Sequence, residues 1–352
     1  MSRNRKPIRI GDREIGLDSP PFIICELSGN HNGSLERALA MIDAAVETGC
    51  DAIKLQTYTA DTLTIDCDLP DFQISGGLWD GRNLYDLYQE ASTPFEWHEA
   101  LFARAKERGV QIFSTPFDES SVDLLERLDC PIYKIASFEI VDLPLIAYVA
   151  RKQRPIIMST GLAGLGDIER AVSTARSNGC EDLILLHCIS SYPAPTDQAN
   201  LRTIPHLAAA FDVHCGLSDH THGTATSVAA IALGAVAIEK HFTLARADGG
   251  PDSSFSLEPA EFRTLTDDCR NAWLSLGDVS YRQQPAEAQN AKFRRSLYVV
   301  KNVAAGEELT PDNVRSIRPG YGLQPRFLPD VIGKRARRTI TRGTALDWQL
   351  FE

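Results

Sequence analysis

FIICELSGNHNGSLERALAMIDAAVETGCDAIKLQ, residues 22–56, decides how the chain is to be read. It opens on a short apolar run, FIICE (22–26), and passes through a turn rich in Gly and Asn. It continues as SLERALAMIDAAVETG (34–49), where apolar residues recur at helical spacing behind a serine cap. It closes on a second apolar run, AIKLQ (52–56). Strand, helix, strand within about 35 residues is the unit from which parallel sheets are built.

The unit recurs along the chain. Further strand candidates are QIFST (111–115), IYKIAS (132–137), PIIMST (155–160), LILLHCIS (183–190), VHCGLS (213–218) and AIEKHF (237–242), eight in all. Helical patterns fall between most of them: PFEWHEALFARAKERG (94–109), SSVDLLERLD (120–129), DIERAVSTARSNG (167–179) and GTATSVAAIALGA (223–235). Eight such units over about 250 residues predict an α/β fold of the (β/α)8 TIM-barrel type. A doubly wound open sheet is the runner-up, but no G-x-G-x-x-G follows the first strand. The barrel is expected to occupy residues 1–281 and a polar linker, RQQPAEAQNAKF, residues 282–293. Residues 294–352, with short β-like pieces and turns, read as a small second domain.

Composition bounds the function. The chain is 43% hydrophobic and 24% charged, ordinary for a globular protein, and no apolar run is long enough to span a bilayer. The start, MSRNRKPIRIGDREIG, is basic without the apolar core of a secretion signal, so cytoplasmic residence and no membrane partner are expected. A net charge of −11 argues against nucleic acid as the main partner. The eight cysteines are scattered with no C-x-x-C, which fits reduced, buried thiols better than disulfides or a zinc cluster.

In a barrel, chemistry gathers where strands end. The eight ends offer Glu26 followed by Asn30 and His31; Lys54 and Gln56; Ser114 and Thr115; Lys134, Ser137 and Glu139; Ser159 and Thr160; His187, Ser190 and Tyr192; Ser218, Asp219 and His220; and Glu239, Lys240 and His241. Lys54 and Lys134 interrupt apolar runs, where an unpartnered lysine would be costly. Two lysines beside several hydroxyls point to a phosphate or phosphate–carboxylate ligand, with structural ion pairs as the alternative. His220 and His241 stand at adjacent strand ends and could share a divalent metal, or be hydrogen-bonded core histidines. In GLSDHTHG (216–223), His220 and His222 would face the same way only if the strand continued; His222 is expected to lie past its end, and His187 to be a core residue. Trp79, Tyr85, Tyr88 and Trp97 read as a helical packing stripe.

The series E-L-S-G-N-H-N-G, K-L-Q-T, F-S-T-P-F-D, Y-K-I-A-S-F-E, S-T-G, H-C-I-S-S-Y-P, G-L-S-D-H-T and I-E-K-H-F-T resembles the sialic acid synthase family. These enzymes condense phosphoenolpyruvate with an N-acylated sugar to give a nonulosonic acid. The tail, with R-P-G-Y-G at 318–322, resembles their antifreeze-like (SAF) domain. The long insert I-S-G-G-L-W-D-G-R-N-L-Y-D-L-Y (74–88) with T-P-F-E-W-H (93–98) looks like the pseudaminic acid synthase branch; legionaminic or N-acetylneuraminic acid synthase is the alternative.

The resemblance implies that Glu26 is a catalytic carboxylate and that Lys54, Thr115, Lys134, Ser137, Ser159, Ser190 and Ser218 cradle phosphoenolpyruvate. Ser190 stands where a relative has asparagine. His220 and His241 would bind the metal, Mn²⁺ or Mg²⁺, and take part in catalysis. Gln56, Glu139, Tyr192 and Asp252 would face the acetamido sugar. Arg318 would reach it from the SAF domain of a second subunit in a domain-swapped homodimer. The product would serve a flagellin or other surface glycan. Two readings of other classes stand beside this one. A carbohydrate- or ice-binding protein would have no use for the barrel-end groups, and a Schiff-base aldolase would use Lys134 covalently.

Overall fold

A computed structural model describes residues 5–352; the first four residues of the basic start lie outside the described residues. Strands β3 (Phe22–Glu26), β4 (Ala52–Thr57), β5 (Gln111–Pro116), β6 (Tyr133–Ile135), β7 (Ile156–Ser159), β8 (Leu183–Cys188), β9 (His214–Ser218) and β10 (Ala237–His241) close into a barrel in chain order, β10 pairing with β3. Every pairing is parallel. All eight strands fall on the predicted runs. They are shorter at β6 and β8, where the chain turns away before Ser137 and Ser190 and sets both residues in loops at the barrel mouth.

The predicted helices form with identifiable caps. In α1 (Leu35–Glu47), Ser34 accepts from the Arg37 amide, and in α5 (Glu119–Arg127), Asp118 accepts from Ser120 and Ser121. Helix α4 (His98–Arg108) ends on Gly109, whose φ of 70° is the left-handed conformation glycine adopts without strain. Helices α7 (Leu165–Ser177) and α9 (Ala225–Ala232) complete the predicted five. Three further helices cover the barrel: α6 (Leu143–Ala150), α8 (Thr203–Phe211) and α10 (Pro259–Leu276). Helices α6 and α8 are apolar almost all round, so neither shows a clean amphipathic period.

The insert after β4 forms a short helix α2 (Ala60–Leu63) and helix α3 (Leu84–Ala91). The expected aromatic stripe is therefore not one helix face. Tyr85 and Tyr88 lie on α3, Trp79 precedes it in a loop, and Trp97 closes a 3-10 turn before α4.

An N-terminal hairpin, β1 (Ile8–Ile10) and β2 (Arg13–Ile15), joins the barrel core through Ile8, Ile10 and Ile15. Its contacts are with residues at or just before the amino ends of strands. The Lys6 carbonyl lies 2.9 Å from His214 Nε2, Arg13 pairs with Asp51 at 3.0 Å, and Gly11 packs against the Gln111 side chain. The hairpin thus covers the end of the barrel opposite the catalytic-type loops.

The chain divides into two compact units, Met1–Gly277 and Asp278–Glu352. The second holds a 3-10 helix (Pro285–Phe293), an antiparallel pair β11 (Ser296–Val299) and β12 (Val314–Ile317), and helix α11 (Leu328–Val331). It has its own core, including Leu297, Val299, Leu309, Val314 and Phe351. All eight cysteines are unpaired and seven are buried, Cys67 being half-buried. Among the described residues no helix is long and apolar enough to cross a membrane.

Candidate active site

Side chains alternate along a strand, so every second residue faces the barrel interior. That rule puts Glu26, Lys54, Lys134, Ser218, Glu239 and His241 on the inside near the strand ends, and the contacts bear it out. Lys54 Nζ lies 2.6 Å from Glu26 Oε2 and 3.5 Å from Glu239 Oε1, and donates to Thr115 Oγ1 at 3.3 Å. Lys134 Nζ and Ser218 Oγ each donate to the same Glu239 Oε1 at 3.3 Å. Both lysines therefore have ion-pair partners, as the structural alternative requires. The arrangement is nonetheless not a saturated one: Glu239 Oε2 is buried without a hydrogen-bond partner, and so is Ser159 Oγ. Buried polar atoms of this kind are left to water or a ligand to satisfy.

Burial lowers Lys134, with Glu239 opposing it. Burial also pulls Lys54 down, but Glu239 and Glu26 together outweigh it and hold Lys54 above its usual value. Glu26 is raised by burial against the pull of Lys54. Glu239 is lowered, because the lysines overcome its own burial.

The hydroxyl side of the cradle is built around Gly161. Its amide donates to Ser137 Oγ at 3.1 Å. A β-carbon at this position would lie 2.8 Å from Ser137 Oγ and collide with Ser190 Oγ. Gly161 is thus required for two serines to stand side by side, and S-T-G was its signal in the sequence.

Next to the cradle lies a cavity of about 360 Å³, lined in part by Gln56, Glu139, Tyr192, His241 and Asp252. Gln56 joins the two regions: its Nε2 donates to Glu26 Oε1 at 3.0 Å and to Ser28 Oγ at 3.3 Å. Ser28 in turn donates to Asp252. Burial raises Asp252, and it lifts Glu139 to about 7; Glu139 Oε2 has no hydrogen-bond partner. Asn30 ties the loop after β3 to the loop carrying Asp252, donating to the Phe242 carbonyl and to Ser256 Oγ, both at 2.9 Å.

The His220 and His241 ring centroids are 5.3 Å apart, and Tyr192 packs over His220 at 4.5 Å. His220 Nδ1 lies 3.0 Å from the Ile189 carbonyl, so in the neutral ring the proton sits on Nδ1 and Nε2 carries the lone pair. His241 Nδ1 is buried without a hydrogen-bond partner, 3.9 Å from Asp252 Oδ2, and burial holds the ring neutral. These two rings fit a divalent cation. Among the described residues no set of three or more His, Cys, Asp or Glu gathers to hold a metal, so the remaining positions would belong to water or substrate. Cys188 adjoins His220, Sγ to Nδ1 3.8 Å. Burial pushes this thiol up, but the imidazole outweighs burial and brings it down to about 7; burial lowers His220, and Cys188 outweighs it and holds the ring above its usual value.

His222 is exposed beyond the end of β9, and α9 starts only at Ala225, so the two histidines of GLSDHTHG do not share a site. His187 is buried in β8 with Nε2 2.7 Å from the Ala199 carbonyl, a core residue as expected. Ser114 points outward to Thr57 Oγ1 at 2.6 Å. Arg318 lies in the second unit and is exposed.

Two charged residues emerge with roles the strand ends alone did not distinguish. Glu239 is the shared counter-charge of both lysines. Lys240 faces the other way, outside the barrel, paired with Asp219 at 2.8 Å and donating to the Thr221 carbonyl at 2.6 Å. Asp219 also accepts from Ser227 and from Thr221.

Residues 41–281 match the NeuB family and residues 294–352 the SAF domain. The chain is 44% identical over 329 residues to the pseudaminic acid synthase of Campylobacter jejuni subsp. jejuni serotype O:2, covering 94% of this chain and 96% of that protein. It is 37% identical over 321 residues to the N,N'-diacetyllegionaminic acid synthase of the same strain, covering 90% and 96%. Among solved structures it resembles the N-acetylneuraminic acid synthetase of Leptospira borgpetersenii serovar Hardjo-bovis. There the TM-score is 0.72 and the identity 32%, over 82% of this chain and 96% of that one.

Proposed function

The chain belongs to the NeuB family, and we propose that it condenses phosphoenolpyruvate with 2,4-diacetamido-2,4,6-trideoxy-L-altrose and water to give pseudaminic acid and phosphate. The higher identity to the pseudaminic than to the legionaminic acid synthase of one Campylobacter strain supports this acceptor. The observation that carries the chemistry is Gln56, whose bond to Glu26 makes one wall common to the lysine cradle and the acceptor cavity. Two substrates held on either side of that wall would meet at Glu26.

In this reading Lys54, Lys134, Thr115, Ser137, Ser159, Ser190 and Ser218 hold the phosphate and carboxylate. Carbon 3 of phosphoenolpyruvate bonds to the aldehyde carbon of the open-chain sugar. Water adds at carbon 2, and the C–O bond to phosphate breaks. The lysines and hydroxyls stabilise the departing phosphate. Glu26, its carboxylate between Lys54 and Gln56, stabilises positive charge at carbon 2 or orients the water. His220 and His241 would hold a divalent cation, Mn²⁺ or Mg²⁺, which when bound polarises the sugar carbonyl as a Lewis acid. Gln56, Glu139, Tyr192 and Asp252 orient the acceptor.

The protein would act as a cytoplasmic homodimer, with Arg318 of a second copy reaching the acceptor. Charge supports the pairing: residues 278–352 carry 13 Lys and Arg against 8 Asp and Glu, in a chain whose net charge is −11. So does exposed apolar surface on the loops after β6 and β7, at Phe138, Val141, Leu162 and Leu165.

The test is phosphate release from phosphoenolpyruvate with a panel of acceptors: the diacetamido L-altrose, its gluco- or manno-related counterpart, and N-acetylmannosamine. Fastest release with the first is expected, lost on chelation and restored by Mn²⁺ or Mg²⁺. Preference for either of the others overturns the acceptor, and full activity in EDTA overturns the cation.

A further inference from the structure

The acceptor cavity has two chemically different walls. The side lined by Gln56, Glu139, His241 and Asp252 is polar and lies next to Glu26. The insert contributes the apolar side chains Leu63, Ile74, Trp79, Leu84 and Leu87, with the Tyr88 hydroxyl beside them toward Glu139. Among those five side chains the one polar atom is the Trp79 indole nitrogen, whose N–H donates to the Pro251 carbonyl at 2.9 Å. Nothing on those five side chains is left to bind a sugar hydroxyl, which leaves Tyr88 as the insert's free polar group at the cavity.

The wall is also built in place. Ile74 and Arg82 are joined by a backbone bond of 2.8 Å, Gly81 returns one to Ile74 at 2.9 Å, and Asn83 Nδ2 donates to the Cys67 carbonyl at 2.9 Å. The Trp79 ring rests on Tyr192 with centroids 5.6 Å apart. A preformed apolar face beside a polar reacting end selects an acceptor with methyl groups where ordinary hexoses carry hydroxyls, because a buried hydroxyl without a partner loses its hydration.

We propose that Ile74, Trp79 and Leu84 are specificity-determining residues that receive the deoxy and N-acyl methyl groups at the end of the acceptor remote from its aldehyde. The inference rests on the reaction proposed above and assigns the part of the site that chooses among acetamido sugars.

The test compares kcat/KM for the diacetamido-trideoxy L-altrose and for N-acetylmannosamine in the unmodified protein and in Ile74→Asn, Trp79→Ala, Leu84→Asn and Trp79→Phe. Thermal melts establish that each variant is folded. The polar or truncated variants are expected to lose about tenfold or more on the trideoxy sugar, mainly through KM, and less than about threefold on N-acetylmannosamine. Trp79→Phe should retain most of the preference. If the unmodified protein prefers the trideoxy sugar and the variants keep that ratio, the wall does not select and only this inference falls. If the unmodified protein prefers N-acetylmannosamine, the proposed reaction falls and the inference with it.

Discussion

Glu139 shows what a single buried carboxyl contributes. Burial lifts it from 4.5 to about 7, so near neutrality it can either donate a hydrogen bond or accept one. The sign for folding follows directly. Its folded value lies above its unfolded one, so the native state holds the extra proton, and this group's contribution to stability falls as pH rises from 4.5 to about 7. For function, the acceptor KM is expected to show one inflection near 7, flattened in Glu139→Gln, while the phosphoenolpyruvate KM does not follow it. An inflection that survives in the Gln variant would assign it elsewhere. Most site side chains were legible because strand alternation places them: a lysine inside an apolar run at a strand end has few places to go. Glu239 was less so. In I-E-K-H two opposite charges adjoin, and only counting back two residues from His241 shows that the glutamate shares its inward face. Gly161 was quoted in a motif, but its role depends on the approach of two serines from separate strand ends, which sequence spacing does not reveal.

At the scale of elements, the ends of β9 and β10 are held together from outside by Lys240 and Asp219, both nearly inaccessible. Each is the neighbour of a candidate metal-binding histidine, so this pair sets where the two rings stand. Lys240→Met leaves Asp219 buried without its cation and is expected to cost about 3–5 kcal/mol in denaturant unfolding. Combining it with Asp219→Leu should recover much of that loss. Equal or greater loss in the double variant would mean that Ser227 and Thr221, not the ion pair, fix the segment. Helices were readable where caps and amphipathic period coincide, as in α1 and α5. They were missed where the helix is apolar on nearly every face, as in α6 and α8. The long α10 follows the last strand, where the strand–helix rhythm had already ended.

For the whole molecule, eight repeats of one pattern made the barrel legible, because closure needs only that each unit bury its strand and one helix face. The N-terminal hairpin was not, since three-residue strands carry too little pattern. If the second unit of one copy completes the site of another, Arg318→Ala and Glu26→Gln should each be nearly inactive alone, and mixing them should restore part of the activity. A mixture no better than its parts would place Arg318 on its own barrel or outside the site. The hairpin has a further consequence. It covers the amino ends of strands whose interior is already packed with side chains, and Lys54 and Lys134 stand two residues before Gln56 and Ala136 of the cavity lining, so the site is a vessel with a single neck. Ligands must be loaded and emptied like objects in a narrow jar, the deepest first in and last out. Steady-state kinetics should therefore be compulsory-ordered, with phosphoenolpyruvate leading and inorganic phosphate, as the last product to leave, inhibiting competitively against it.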